Sequence, residues 1–183
     1  MQLTSTIDQK FNELQIILEN RDRTSIKIDA HGGHSILLVY PPSEESIYIQ
    51  RFRNEYPNSY LIDISKLFVQ YIDNIGKDRM KEYYDDTGEI IKQFKSQHLD
   101  CDFEKVILNE IKSAQSKDQM PVLIRTGAMF GTGIENINII DSEIVRQSIR
   151  PIILLYPATL DKDNKLMFLD FKRASDYRAI IIN

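Results

Sequence analysis

The stretch Thr126-Gly127-Ala128-Met129-Phe130-Gly131-Thr132-Gly133 is where the chain comes closest to a ligand loop. Glycines let backbone N–H groups turn toward phosphate oxygens, and Gly131-Thr132-Gly133 matches the opening of a dinucleotide fingerprint. The third glycine place holds Asn136, and no lysine occurs between residues 118 and 161, so neither a dinucleotide nor a Walker pattern is completed. The same glycines suit turns at positive φ and close backbone packing. Thr126, Gly127, Gly131 and Gly133 are therefore cofactor-binding residues if the loop holds a nucleotide, and turn residues if it does not.

Other residues of reactive type form less complete patterns. A phosphate loop belongs after the first strand, but that position reads Pro41-Pro42-Ser43-Glu44-Glu45: the prolines remove N–H donors and the carboxylates repel a triphosphate. His31-Gly32-Gly33-His34 offers two imidazoles without the three or four ligands that zinc needs, and it precedes the strand, so it reads as a flexible lead-in loop. His98 and Cys101 are near neighbours in a polar stretch, without a third group to orient them. Asp85-Asp86 before Gly88 reads as a solvated turn. Lys172, Arg173, Tyr177 and Arg178 make a basic and aromatic patch, which is either a hairpin turn with solvated charges or a contact surface for protein or phosphate. No catalytic residue, metal site or cofactor is expected from these patterns.

Composition narrows the classes. The chain has 183 residues, 42% hydrophobic and 27% charged, an ordinary globular balance. One cysteine excludes a disulfide framework and a Cys-rich zinc module. A formal charge of −4 supplies no field for nucleic acid, so direct DNA contact by the isolated protein is not expected. The N-terminal residues lack the order of a signal peptide and no apolar run approaches the roughly 20 residues of a membrane span. The expected location is cytoplasmic, with no membrane contact.

The elements that must position these residues follow from hydrophobic periodicity. Leu3, Ile7, Phe11, Leu14 and Leu18 form one helical stripe, predicting an N-terminal helix within residues 1–20. Residues 35–40, 59–64, 120–125 and 151–156 are apolar runs of the kind buried on both faces of a parallel sheet. Helices are expected after the first two strands, from an N-cap at Ser43 and up to Gly76, and residues 77–119 read as a helical excursion with Asp102 as a cap. Tyr40-Pro41 and Tyr156-Pro157 look like one solution for ending a strand, used twice. Residues 165–171 and 179–182 are expected to pair as a β-hairpin or edge strands. The predicted fold is α/β: a single domain over 1–183, its mainly parallel sheet flanked by helices in a P-loop-like or Rossmann-like three-layer core without Walker motifs.

Thr126-Gly127 after an apolar strand, Tyr156-Pro157 ending another, Leu166 and Phe168, and then Tyr177-Arg178-Ala179 resemble the BrxB family of BREX bacteriophage-exclusion systems. Tyr40-Pro41-Pro42 with an acidic helix start is similar to that family's opening block. Ala158 stands where the family pattern has glycine, and Gly131 and Gly133 are additions to it. The resemblance implies a small cytoplasmic accessory protein of phage defence, without catalysis of its own. Its implied partners are the alkaline-phosphatase-like protein PglZ and other BREX components: a DNA methyltransferase, a large ATPase and further small proteins. The patch at Lys172, Arg173, Tyr177 and Arg178 is the expected partner surface, with Arg178→Ala expected to weaken the complex. The alternative is a degenerate nucleotide switch or small enzyme using residues 126–133, with Asp63 and Arg125 as the nearest charged helpers.

Overall fold

The computed structural model describes residues 2–76, 78, 81 and 102–183. Five parallel strands form its centre: β1 (Ser35–Tyr40), β2 (Tyr60–Asp63), β3 (Pro121–Ile124), β4 (Ile152–Leu160) and, at the far edge, β7 (Ile180–Ile182), in the order β2-β3-β4-β1-β7. Every residue of β1 and β3 is buried. Continuous apolar runs suit this position because helices cover both faces.

Alternation along the strands assigns each side chain to one of two cores. Leu37, Val39, Leu123, Ile152, Leu154 and Tyr156 face one layer, built by α4 (Ile64–Ile75), α5 (Phe103–Ser116), α6 (Asn136–Ile140) and α7 (Glu143–Gln147). Ile36, Leu38, Tyr40, Val122, Ile153 and Leu155 face the other, built by α1 (Gln2–Asn20), α2 (Arg23–Asp29) and α3 (Glu45–Glu55). The architecture is therefore the three-layer α/β fold that the apolar runs imply. Each buried Leu or Ile stabilises it by about 1.5–3 kcal/mol of transfer free energy.

Local signals explain most boundaries. Asp63 and Asp102 cap α4 and α5 by accepting from Lys66 N and Lys105 N, at 3.3 and 2.7 Å. Gly76, at φ 90, ends α4. Within the expected excursion over 77–119, α5 is helical, while Asp85, Asp86, Ile90, Ile91, Phe94, His98 and Cys101 lie outside the described residues. No helix among the described residues is long and apolar enough to cross a membrane.

Five expectations need correction. Ser43 is not the cap of α3: Pro42–Glu44 form a 3-10 turn and Glu44 precedes the helix, because Pro42 presets the first turn and Glu44 N bonds Pro41 O at 2.8 Å. The two Tyr-Pro pairs are not equivalent. Val39 lies opposite Tyr156 and Tyr40 opposite Pro157, and this one-residue offset sends the two tyrosines to opposite cores. Pro157 also does not end its strand. β4 leaves β1 there and continues to Leu160 against β5 (Leu166–Phe168), so the missing N–H falls where one ladder hands over to another.

The fourth correction concerns which C-terminal strands pair, since a hairpin and an edge strand both form but not with each other. β5 pairs with β6 (Lys172–Arg173), whereas β7 joins the parallel sheet beside β1. The β5–β6 turn places Leu169 and Asp170 at φ 53 and 67, a conformation that glycine usually marks and this sequence does not. Gly33 is likewise no flexible lead-in. A Cβ there would stand 1.7 Å from the Arg178 carbonyl oxygen, so its bare backbone admits the segment leading into β7.

Candidate functional site

Open parallel sheets place ligand loops at the carboxyl ends of their strands. Here those ends meet one another instead. Asp63 receives the Ser65 hydroxyl at 2.7 Å and forms an ion pair with Arg125. Burial alone would raise the Asp63 carboxyl; the Ser65, Lys66 and Arg125 hydrogen bonds outweigh it and hold the group below the usual carboxylate range. Arg125 itself sits at φ 57, and the following turn, Thr126–Met129, buries Thr126, whose hydroxyl donates to Leu155 O at 3.3 Å. The Tyr40 hydroxyl donates toward Glu45 at 3.1 Å, beside Pro41 and Pro42.

The glycines behave as packing and turn residues. Gly131 and Gly133 lie at φ 85 and 76. Gly127 lies under Leu169, where an added Cβ would be 3.1 Å from the leucine Cδ2. The left-handed hairpin turn thus holds Leu169 over the loop, and the bare glycine backbone lets it sit close. This joins two stretches more than 40 residues apart.

Their junction encloses a cavity of about 240 Å³. Gly131, Gly133, Lys172, Arg173 and Tyr177 line it together with Asn136 and Tyr156, so the loop and most of the C-terminal patch share one site. Arg178 does not join them: it is exposed, and its backbone rests on Gly33 at the opposite end of the sheet. Thr126 and Gly127 do not line it.

Inside, Tyr156 and Tyr177 share a hydroxyl–hydroxyl bond of 2.9 Å, and Tyr156 stacks on Phe168 with ring centroids 5.1 Å apart. Burial raises both phenols above their ordinary value, so they remain protonated at neutral pH. The Lys172 ammonium donates to Glu135 at 2.7 Å, which neutralises it. Arg173 has no carboxylate partner among the described residues. The Asn136 side chain is buried, and its Oδ1 lacks a hydrogen-bond partner.

Two residues that sequence reasoning passed over form an aromatic rim beside this cavity, Phe130 lining it and Phe171 packed on Phe130. Phe130 and Phe171 meet edge to face at 5.0 Å while remaining 52% and 58% exposed. Each sits in a turn next to a residue that was singled out, but whether a phenylalanine faces the core or solvent is not written in a turn's periodicity. Among the described residues no group of three His, Cys, Asp or Glu side chains is placed to hold a metal. Chemically, the arrangement offers an apolar aromatic edge with one unpaired guanidinium. No family model, curated protein or solved structure matches the chain.

Proposed function

We propose that this chain is a non-enzymatic interaction protein of a BREX phage-defence complex, and that it binds a PglZ-like protein through the Phe130–Phe171 rim and Arg173. The observation that carries the reading is the exposed aromatic pair. Two half-exposed phenylalanines in edge-to-face contact, at a cavity that Arg173 also lines, are poorly hydrated alone and well suited to the desolvated centre of an interface. The resemblance to the BrxB family supplies the system and the partner. Of its residues, Tyr156, Phe168 and Tyr177 line the same cavity as Phe130, and Gly127 packs under Leu169. Against nucleotide chemistry stand the Asp63–Arg125 pair and the Thr126 bond to Leu155, which occupy the strand ends with protein contacts.

Co-purification with a PglZ-like protein encoded beside this one tests the reading. Phe171→Ser and Arg173→Glu should each weaken the complex by more than about 1 kcal/mol with an unchanged melting temperature. Arg178→Ala, at the far end of the sheet, should leave it intact. No co-elution at micromolar concentration removes the partner assignment. Calorimetric binding of ATP, GTP or NAD tighter than about 100 µM would favour the nucleotide reading instead.

A further inference from the structure

The opposite, amino-terminal end of the sheet holds a larger cavity, about 630 Å³, a volume suited to a small organic ligand. His34 stands in its wall, fully buried. The ring's protonation follows from its neighbours. The Ser148 hydroxyl donates its one hydrogen to Val145 O at 2.6 Å, so at 3.0 Å from His34 Nδ1 it must accept. Nδ1 therefore carries the proton, and Nε2 keeps a bare lone pair that is buried and has no partner. Burial, then the Arg23 and Lys27 charges, lowers the imidazole pKa to about 4, which keeps the ring neutral at physiological pH.

Three arginines line the same cavity. Arg21 is paired with Asp29, and Arg150 with Asp118 through two bonds of 2.9 and 3.0 Å. Arg23 has no carboxylate partner among the described residues: its Nη2 donates only to the Arg146 and Gln147 carbonyls, at 3.4 and 3.0 Å. Those bonds fix the guanidinium at the cavity and leave its charge unneutralised. Leu18, Ile26 and Met120 supply an apolar wall, and Ile149, 79% exposed, stands at the cavity as well.

A buried acceptor without a donor is destabilising, and an anchored cation without a counter-charge attracts an anion. We propose that this cavity is a binding site for a small organic anion that places its carboxylate or phosphate at Arg23, its apolar body along Leu18, Ile26 and Met120, and a hydroxyl or N–H donor toward His34. The site is separate from the aromatic rim and does not depend on the reading given to it. A ligand here would touch α1, α2 and the segment leading into α3's neighbour strand β2, through Leu18, Ile26 and Asn58.

Adenosine 5′-monophosphate and 4-hydroxybenzoate carry all three chemical features, one with each kind of anion. Inorganic phosphate and benzoate each lack the donor or the body and serve as controls. Calorimetry should show at least one complete probe binding more tightly than about 1 mM and at least about tenfold more tightly than its control. Arg23→Gln should weaken that binding by about tenfold or more without lowering the melting temperature, and Arg23→Lys should restore part of it. In ¹⁵N-labelled protein, the His34 Nε2 resonance should move upfield as its lone pair gains a donor. The two probes distinguish a phosphate monoester from a carboxylate as the preferred anion. Failure of both complete probes to bind below about 1 mM, binding that Arg23→Gln leaves intact, or an unmoved Nε2 resonance would each overturn the proposal.

Discussion

The two ends of the sheet use similar residues to opposite effect. At the carboxyl end, most of the charged or polar groups near the strand termini meet a protein partner: Asp63 with Arg125, Thr126 with Leu155, Lys172 with Glu135. What remains exposed and unpaired there among the described residues is the apolar Phe130–Phe171 edge and the Arg173 guanidinium. At the amino end, Arg23 and His34 keep unmet bonding capacity beside a cavity more than twice the volume. The usual expectation for open α/β sheets puts ligands at the carboxyl end. In this chain, pairing between side chains and across the loops occupies groups that a ligand at that end would use.

The sharpest way to break the comparison is to disturb a glycine at each end. Gly33→Ala drives a methyl group into the Arg178 backbone, which cannot yield without moving β7. A loss of about 3 kcal/mol in urea unfolding is expected. Gly127→Ala meets only the tip of the Leu169 side chain at 3.1 Å and should cost about 1 kcal/mol or less. Equal losses would show that both ends are packed alike.

Acid should weaken the amino end first. The native His34 pKa is lowered to about 4 from 6.5, so below pH 6.5 the unfolded chain binds a proton that the folded chain refuses. Stability contributed by the neutral ring is present above that pH and is lost as pH falls toward 4, by about 2 kcal/mol between pH 7 and pH 5. Denaturant midpoints of the wild type and His34→Gln across this window provide the check; a profile no steeper in the wild type would contradict the assignment.

At the carboxyl end the corresponding acid response comes lower. Asp63 is held below its usual value of 3.8, so its contribution is present above that pH and is lost as pH falls further. Asp63→Ala removes an N-cap and the Arg125 partner together, at an expected cost of about 1–2 kcal/mol at neutral pH. If circular dichroism shows α4 unchanged in both stability and content, Asp63 is not what organises that edge.

Much of the layer architecture was legible in periodicity. Strand β1 and the Asp102 cap fall where residue types place them, because an apolar run between Pro and Gly and an Asp before an apolar helix act over a few residues. Thr126–Gly133 and Lys172–Tyr177 were also visible as unusual stretches, though not as neighbours. Their contact depends on Leu169 and Asp170 adopting positive φ without glycine, a choice that tertiary packing makes against local preference.

The sequence by itself determined the parallel sheet, its two apolar faces and the failure of the Walker and dinucleotide patterns, since all three rest on composition within short windows. Only the tertiary structure decided that β7 pairs with β1 rather than with β5, since an apolar triplet such as Ile180–Ile182 fits any strand that offers cover. It alone separated Arg178 from Arg173, brought Ser148 to His34 across 114 residues, and left Nε2 without a partner. Hydrogen-bond satisfaction is a property of three-dimensional neighbours, and residue spacing along the chain does not contain it.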